Sequence, residues 1–308
     1  RFVRQPTQTI KPCILRTRKH NVRITNPPKK KKYKSLAITA AIFLLTAGVL
    51  LDSRFRIVDT EYALYYENLP KTFDGYRIVQ LSDLHMAEFG EDNIRLIENV
   101  TEQRPDIIVI TGDLLLRYAE KTNGEQTATI KPFLEELSQI APCYFVSGNH
   151  EWACGEIGEL TALLEELNIV YLHNEFVLLE KDGESIILAG VEDPNGSADM
   201  IKPDELAEII SKNYPDKYTL LIAHRNTWLT KYPDLPVDTV LCGHAHGGVV
   251  RLPLVGGILG TEMDLFPKYD SGIFNEGSYD MVVSRGLGGQ IPRFLNNPEV
   301  VTVVLKKS

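Results

Sequence analysis

Six short apolar runs between residues 77 and 242 constrain the fold of this chain more than any other feature. They occupy residues 77–82, 107–111, 144–147, 185–190, 218–223 and 239–242, and most end at Gly, Asp, Asn or His. Short apolar runs bounded by such residues are typical of buried strands. Four segments with helical periodicity lie between them, at residues 93–103, 130–140, 157–167 and 204–211. This alternation predicts an α/β domain.

Three further apolar segments follow residue 246, at residues 249–254, 281–283 and 300–305. Glycine-rich turns separate them, which indicates a late set of antiparallel strands. Together with the earlier strand–helix alternation, this set predicts two packed β-sheets.

Charge is distributed very unevenly along the chain. Residues 1–51 hold 12 of the 33 Lys and Arg residues and no Asp or Glu, so the remaining part has 21 basic and all 41 acidic residues. A protein that binds nucleic acid must neutralise the phosphate backbone with Lys and Arg. The strongly acidic second part therefore argues against a nucleic-acid partner, although a small phosphate ester held by metal ions remains compatible with it.

The N-terminal part combines a basic tail with an uncharged apolar segment. Residues 36–51 carry no charge, and residues 33–53 are long enough to cross a bilayer if Lys34 extends its ammonium group to the interface. The sequence predicts a basic tail at residues 1–35, a transmembrane signal anchor at residues 36–52 and a catalytic domain at residues 53–308. The excess of positive charge before the anchor predicts a cytoplasmic tail and an extracytoplasmic domain. A cleaved signal peptide and a buried core helix are the alternatives.

Potential metal ligands stand directly after five of the six apolar runs. Asp83 and His85 follow the first run, and side chains at i and i+2 of an extended segment project to the same side. Open α/β folds place their sites at these carboxyl ends of strands. The other candidates are carboxylate, amide or imidazole side chains at a strand end: Asp113, Asn149, His150, His224, His244 and His246.

These signals differ in specificity when each is taken singly. Taken alone, the Asp83-x-His85, Gly112-Asp113 and lone His224 signals are better explained by a strand-end turn, a helix cap and a structural histidine, respectively. Gly148-Asn149-His150-Glu151 is evenly balanced between a turn and a site. The pair of imidazoles at His244 and His246, flanked by glycines, favours metal binding on its own.

In this order, the five signals resemble the full motif series of the calcineurin-like metallophosphoesterase superfamily. The resemblance extends from about residue 75 to the C-terminus. Residues 190–194, 247–253 and 284–288 are also similar to its membrane-anchored bacterial branch, often called YkuE- or YaeI-like. The resemblance implies a four-layer sandwich in which two mixed β-sheets are flanked by helices. Arg225 and Asn226 depart from the branch, which often has an acidic or proline-containing stretch there.

The resemblance also implies two divalent metal ions (Mn, Fe or Zn) and assigns the candidate residues to them. One ion would be held by Asp83, His85, Asp113 and His246. The other would be held by Asp113, Asn149, His224 and His244, with Asp113 bridging the two. His150 would protonate the leaving oxygen or stabilise the transition state. The implied reaction is hydrolysis of a phosphomonoester or phosphodiester by a metal-bridging hydroxide.

Three functions stay open on the sequence. The anchor favours a lipid-linked or envelope phosphoester at the outer face of the cytoplasmic membrane. One alternative is a pyrophosphate hydrolase acting on a sugar-nucleotide lipid precursor, which would favour a cytoplasmic active site. The other is a non-catalytic metal-binding envelope protein, against which the presence of His150 argues because metal binding alone would not require it.

The cysteines and two remaining histidines lie outside these motifs. Cys143, Cys154 and Cys242 form no CxxC pair and are predicted to be small buried residues, with Cys154 the most exposed of them. His20 lies in the basic tail, and His173 is predicted to be a surface or packing residue.

Overall fold

The computed structural model describes residues 29–117, 124–196, 201–261, 263–289 and 291–308. His20, Cys13 and most of the predicted basic tail lie outside these residues. The chain divides into two compact units, residues 1–45 and 46–308. The domain boundary predicted at residue 53 stays a prediction.

One helix among the described residues is long and apolar enough to cross a membrane. This helix, α1, spans Lys29–Phe55, and its apolar stretch Tyr33–Phe55 has 23 residues and a mean hydropathy of 2.0. At about 1.5 Å per residue such a stretch is roughly 35 Å long, which exceeds the ~30 Å hydrocarbon core of a bilayer. The apolar helix is therefore longer at both ends than the predicted segment at residues 36–52.

The described part of residues 46–308 contains fourteen strands and six further helices. The strands are β1 (Val58–Tyr66), β2 (Arg77–Leu81), β3 (Ile107–Ile110), β4 (Cys143–Phe145), β5 (Val170–Tyr171), β6 (Glu175–Lys181), β7 (Glu184–Gly190), β8 (Thr219–Ile222), β9 (Thr239–Cys242), β10 (Arg251–Leu252), β11 (Gly256–Gly257), β12 (Gly272–Phe274), β13 (Asp280–Val283) and β14 (Glu299–Lys307). The helices are α2 (Ile94–Glu102), α3 (Glu125–Ile140), α4 (Asn149–Cys154), α5 (Ile157–Glu166), α6 (Pro203–Asn213) and α7 (Trp228–Lys231).

Two mixed six-stranded sheets form the centre of this unit. The first has the order β1-β14-β2-β3-β4-β5, and the second has the order β12-β13-β9-β8-β7-β6. Strands β2 to β5 are parallel to one another, as are β7, β8, β9 and β13. The six apolar runs are the strands β2, β3, β4, β7, β8 and β9, so their prediction is confirmed.

The alternation of side chains along each strand divides the core into three layers. On β2, Val79 packs against the helices α2, α3 and α5, whereas its neighbour Ile78 packs between the two sheets. On β7, Leu188 belongs to the layer between the sheets and Ile187 packs against α6 and α7. Successive side chains of a strand point to opposite faces, so each sheet is buried on both sides. The result is the expected arrangement of two sheets flanked by helices.

The late antiparallel set predicted from the sequence is wrong. Strand β14 lies in the first sheet, where it is parallel to β1 and antiparallel to β2. Strand β13 lies in the second sheet, parallel to β9 and antiparallel to β12. Residues 249–254 contribute only the two-residue strand β10, paired with β11. An apolar run indicates a strand, but the strands it pairs with are determined by contacts with residues far away in the sequence.

Two long strands were not predicted, whereas the three cysteines are buried as predicted and Cys154, at 6%, has the largest exposed fraction of them. Strand β1 is an edge strand whose residues are mostly half-exposed, and β6 forms the opposite edge of the second sheet, so neither has the continuous apolar pattern of a central strand. Cys154 is buried, as are Cys143 and Cys242, because α4 turns its thiol toward the helices α3 and α5.

The sheet topology brings the predicted motifs to one edge of the domain. The parallel strands β2, β3 and β4 end at the same edge of the first sheet, and β8 and β9 end at the same edge of the second. A hydrogen bond of 2.9 Å from Gln80 Nε2 to the Cys242 carbonyl joins the two edges. We call this side of the domain the catalytic edge.

Candidate metal centre

Asp83 and His85 lie in the loop after β2, and their backbone places them toward the centre of the catalytic edge. Both adopt a left-handed conformation, with φ of 52° and 48°. The Oδ2 atom of Asp83 accepts hydrogen bonds from the Ser82 hydroxyl at 2.6 Å and the His244 amide at 3.0 Å. Its Oδ1 atom is buried and has no hydrogen-bond partner among the described residues. One carboxylate oxygen is thus held in place while the other is left for a ligand.

Asp113 and Asn149 follow β3 and β4 and face each other across two glycines. The Asp113 Oδ1 atom accepts a hydrogen bond of 2.8 Å from the His150 amide. A Cβ on Gly148 would lie 2.2 Å from that same oxygen, so only glycine allows the two loops to approach this closely. The approach leaves Asp113 Oδ2 pointing at the centre of the site.

His224 and His244 come from the ends of β8 and β9 and meet Asp113 from the second sheet. The Nδ1 atom of His224 donates to the Thr111 carbonyl at 2.8 Å, so Nε2 is the ring nitrogen turned toward the centre. That Nε2 atom lies 3.2 Å from Asp113 Oδ2 and 3.1 Å from His244 Nδ1. It also lies 3.2 Å from Asn149 Oδ1. These four side chains form one donor group.

A second donor group surrounds His85. Its Nε2 atom lies 3.1 Å from His246 Nε2, 3.8 Å from Asp83 Oδ1 and 3.7 Å from Asp113 Oδ2. His246 Nε2 lies 3.5 Å from Asp83 Oδ1. Asp113 Oδ2 therefore belongs to both groups, and the structure brings together all seven residues predicted to bind metal.

The donor atoms of both groups fit divalent cations. Each group is made of carboxylate, imidazole and, in one case, amide donors, which suit Mn²⁺, Fe or Zn²⁺. Most are buried, and within the described part of the chain the Oδ1 atom of Asp83 accepts no hydrogen bond. Five of the ligand candidates are non-glycine residues with positive φ: Asp83, His85, Asp113, His244 and His246. Such clustered strain is typical of functional sites.

Burial and neighbouring charges set the protonation of the imidazoles. Burial lowers the pKa of His85 to about 3, and burial together with Arg293 lowers the pKa of His246 to about 3. Burial also opposes charge on His224, but the nearby Asp113 outweighs it and raises the pKa of His224 to about 10. His85 and His246 thus offer neutral lone pairs, whereas a cation must displace a proton from His224.

His150 also lies within reach of the candidate ligands, since together with His85 and Asp113 it forms a third group of residues that could hold a metal ion. Its Nδ1 atom accepts a hydrogen bond of 2.9 Å from the Arg117 amide, so Nε2 carries the ring proton of the neutral imidazole. That Nε2 atom lies 3.8 Å from Asp113 Oδ2. His150, His85 and His246 line the same cavity of about 270 Å³. An N–H donor therefore faces the space in front of the candidate ligands.

The profile of the calcineurin-like phosphoesterase family matches residues 76–248, which contain every one of these residues. The chain belongs to this family. The enzyme is therefore a hydrolase acting on phosphoric ester bonds, which argues against a non-catalytic metal-binding protein. The family uses divalent metal ions, and the two donor groups are candidate positions for them.

Three bacterial relatives cover most of this phosphoesterase. A metallophosphoesterase of Aquifex aeolicus is 32% identical over 274 residues, which are 85% of this chain and 97% of that protein. The metallophosphoesterase YkuE of Bacillus subtilis is 30% identical over 261 residues, 82% of this chain and 86% of that protein. The phosphodiesterase YaeI of Escherichia coli is 29% identical over 261 residues, 82% of this chain and 88% of that protein.

Two other relatives bear on the membrane and on the substrate. A transmembrane protein with a metallophosphoesterase domain from Danio rerio is 29% identical over 272 residues, 82% of this chain and 58% of that protein. The UDP-2,3-diacylglucosamine pyrophosphatase LpxG of Chlamydia muridarum is 27% identical over 286 residues, 75% of this chain and 85% of that protein. The transmembrane relative, together with the apolar helix α1, supports membrane association of the phosphoesterase.

Several residues that support the centre carried no role in the sequence analysis. The buried Glu151 carboxylate accepts hydrogen bonds from the backbone amides of Asp113, Leu115 and Gly148, so it joins the loops after β3 and β4. Burial raises the pKa of Glu151 to about 7, and the charge of Asp113 acts in the same direction. In the sequence, the only indication of a role for Glu151 was its position directly after His150.

Arg225 supports the opposite side of the centre. Its Nε atom donates to Asp193 Oδ2 at 2.6 Å, and its Nη1 atom lies 3.1 Å from His244 Nε2. Arg225, at which the sequence departs from the family branch, therefore contacts the candidate ligand His244. His173, outside the centre, has a side chain that is 46% exposed and lies 3.2 Å from the Glu192 carboxylate, as expected for a surface residue.

We expect Gly243→Ala to damage the metal centre. A Cβ at this position would lie 1.8 Å from Ser82 Oγ and 2.3 Å from Asp83 Oδ2. Both groups are buried, so they must move, and the expected losses are about 1–3 kcal/mol of stability and about 10–100-fold of metal affinity. Metal titration and thermal unfolding measure these losses. Gly158→Ala is the control, because its Cβ would meet no atom within 4 Å. Equal metal affinity in both variants would contradict the prediction.

Proposed function

We propose that this phosphoesterase hydrolyses a phosphomonoester or phosphodiester at a two-cation centre. The observation that carries the proposal is the shared position of Asp113 Oδ2, which lies 3.2 Å from His224 Nε2 and 3.7 Å from His85 Nε2. A carboxylate between two donor groups is the arrangement needed to join two cations, and a pair of cations clamps both oxygens of an in-line displacement at phosphorus.

The ligand assignment follows the two donor groups. Asp83, His85, Asp113 and His246 would hold one divalent cation. Asp113, Asn149, His224 and His244 would hold the other. When bound, such a pair supplies Lewis acidity and an activated water for attack on phosphorus. Manganese, iron and zinc all suit these donors.

The protein's own contribution to the leaving group comes from His150. Arg117 holds the tautomer in which His150 Nε2 carries the proton. This N–H faces the cavity shared with His85 and His246, where it can hydrogen-bond the leaving oxygen and pass it a proton. Asp113 Oδ1 accepts from the His150 amide, so the same carboxylate positions the acid and the candidate ligands.

The site is proposed to lie at the outer face of the cytoplasmic membrane. The basic residues before α1 support a cytoplasmic N-terminus, since positively charged segments flanking a membrane helix stay inside. Anchoring by α1 favours a substrate that is itself held in the membrane. LpxG, whose substrate carries acyl chains, supports a lipid-linked phosphoester for this chain too.

A second candidate is pyrophosphate hydrolysis of a sugar-nucleotide lipid precursor. The similarity to LpxG is the observation that favours it. Because that class of precursor is made with nucleotides of the cytoplasm, this candidate goes with a cytoplasmic domain. Protease treatment of intact cells separates the two, because an extracytoplasmic domain is digested and a cytoplasmic one is protected.

The assay uses the full chain in detergent, loaded with Mn²⁺. We expect turnover of p-nitrophenyl phosphate, bis(p-nitrophenyl) phosphate or both, loss of turnover after chelation, and recovery when Mn²⁺ is added back. UDP-glucose serves as the pyrophosphate probe. A metal-loaded chain that turns over neither aryl ester contradicts the first proposal, and turnover of UDP-glucose alone supports the second candidate.

A further inference from the structure

Exposed apolar side chains occur in residues 254–266 and at position 291, and two of them, Met263 and Ile291, line a cavity that also contains candidate site residues. We call these residues the apolar rim: Leu254, Val255, Met263, Leu265, Phe266 and Ile291. Their exposed fractions range from 56% at Val255 to 108% at Leu254. Exposed apolar residues occur singly on most protein surfaces, but a contiguous group beside a site marks an interaction surface.

Two adjoining cavities connect the apolar rim with the candidate site. Met263 and Ile291 line the cavity of about 270 Å³ that also contains His150. Ile291 further lines a cleft of about 630 Å³ that is also lined by Leu50 and Phe55 at the end of α1. These wall residues belong to the same compact unit as the catalytic domain, residues 46–308. The end of the apolar helix and the rim residue Ile291 thus border the same cleft.

The topology of the first sheet places the end of the helix at the catalytic edge. Helix α1 ends at Phe55, and β1 begins at Val58. Strand β1 is parallel to β14, and β14 is antiparallel to β2, so β1 begins at the edge where β2 ends. A chain that leaves a bilayer at Phe55 therefore enters the domain on the side of Asp83 and His85.

Three rim residues have a backbone conformation that is energetically unfavourable for residues with large apolar side chains. Leu254, Met263 and Phe266 have φ of 67°, 64° and 55°, a region where glycine or asparagine is the usual choice. Large apolar side chains at such turn tips raise the free energy of the loop, and each of these three is more than 60% exposed. Their presence is consistent with a surface that is covered when the protein works.

We propose that the apolar rim rests in the interfacial layer of the bilayer that holds α1. The proposal rests on the anchoring proposed above. The occupant is the boundary between headgroups and acyl chains, because the chain itself brings the catalytic edge to that boundary at Phe55. Asp264 is exposed within the same loop, which limits the rim to shallow insertion. A phosphoester could then enter the cleft between Ile291 and Phe55 while its acyl chains stay in the lipid.

The test measures where the rim lies relative to lipid, independently of catalysis. The full chain carrying Phe266→Trp is reconstituted in vesicles of phosphatidylcholine and phosphatidylglycerol with brominated acyl chains, which quench tryptophan by contact. The parent chain, with Trp152 and Trp228, supplies the background. Tyr65→Trp is the matched control. Tyr65 is 65% exposed and lies near the far end of β1, roughly 23 Å along the strand from Val58.

We expect the tryptophan at position 266 to lose more than half of its added fluorescence in brominated vesicles, and the one at position 65 to lose little. Leu254→Ser, introduced beside Phe266→Trp, is expected to weaken the quenching without changing turnover of a soluble aryl phosphate. Equal quenching at positions 266 and 65 overturns the proposal. The proposal is also overturned if a second copy of the chain covers the rim. That result would be seen as crosslinked dimers in which the tryptophan at position 266 is not quenched. Because quenching needs neither metal nor turnover, the proposed hydrolysis can fail while this result stands.

Discussion

Asp113→Asn is expected to lower kcat/KM by about 10³-fold or more. Asp113 Oδ2 lies in both donor groups, so in the proposed two-cation centre its charge would serve both cations at once. An amide has the same shape and still accepts a hydrogen bond from the His150 amide, but it has no negative charge with which to join two cations. Loss of a single electrostatic contact in an active site already costs about 10²–10³-fold, and here both positions weaken together.

Metal content and turnover of the same preparation measure this effect. We expect the bound metal to fall below two ions per chain while the unfolding temperature stays near that of the parent without metal. Asp238→Asn is the matched control: this carboxylate accepts a hydrogen bond of 2.7 Å from the Thr219 amide at the opposite end of the second sheet. It should keep its metal and its activity. Two ions and normal turnover in Asp113→Asn would remove the shared carboxylate from the mechanism.

His150→Ala is expected to lower kcat by about 10²–10⁴-fold while metal binding is retained. The proposed ligand sets do not include His150, although with His85 and Asp113 it forms a further group that could hold a metal ion. Its Nδ1 accepts from the Arg117 amide, and its Nε2 is 3.8 Å from Asp113 Oδ2. The loss should therefore depend on the leaving group. An alkyl phosphate needs a proton on its leaving oxygen, whereas p-nitrophenolate leaves without one.

The decisive readout is the ratio of the two losses in the metal-loaded variant. We expect a much larger drop for the alkyl ester than for the p-nitrophenyl ester. His173→Ala is the control, since its side chain is half-exposed and pairs with Glu192 away from the centre. If His150→Ala lost both activities equally, or lost its metal, the residue would position the centre rather than serve the leaving group.

The candidate ligands could be predicted because each stands where a buried strand stops. Asp83 follows β2 after one serine, Asp113 follows the run that includes β3 after one glycine, and His224 directly follows the run that includes β8. A continuous apolar run ends where the sheet ends, so the first polar residue after it lies at the edge. Parallel strands then bring these positions together, even though they are far apart in sequence.

The supporting contacts could not be predicted in the same way. The bond from His224 Nδ1 to the Thr111 carbonyl and the three amides that meet Glu151 depend on loops that converge only after folding. No periodic pattern in the sequence indicates these hydrogen bonds. The placement of β14 between β1 and β2 is a similar case, since an apolar run has no information about its neighbours.

The sequence by itself determined the strand–helix order, the apolar N-terminal segment and the residue types able to bind metal, because these follow from local composition and spacing. Only the tertiary structure decided which atoms face one another: the shared Asp113 oxygen, the ring nitrogen of each histidine that points inward, and the start of β1 at the catalytic edge. The reason is physical. Local patterns record whether a side chain is buried, whereas distances of 3–4 Å between groups from two sheets arise from packing between elements that are remote in the chain.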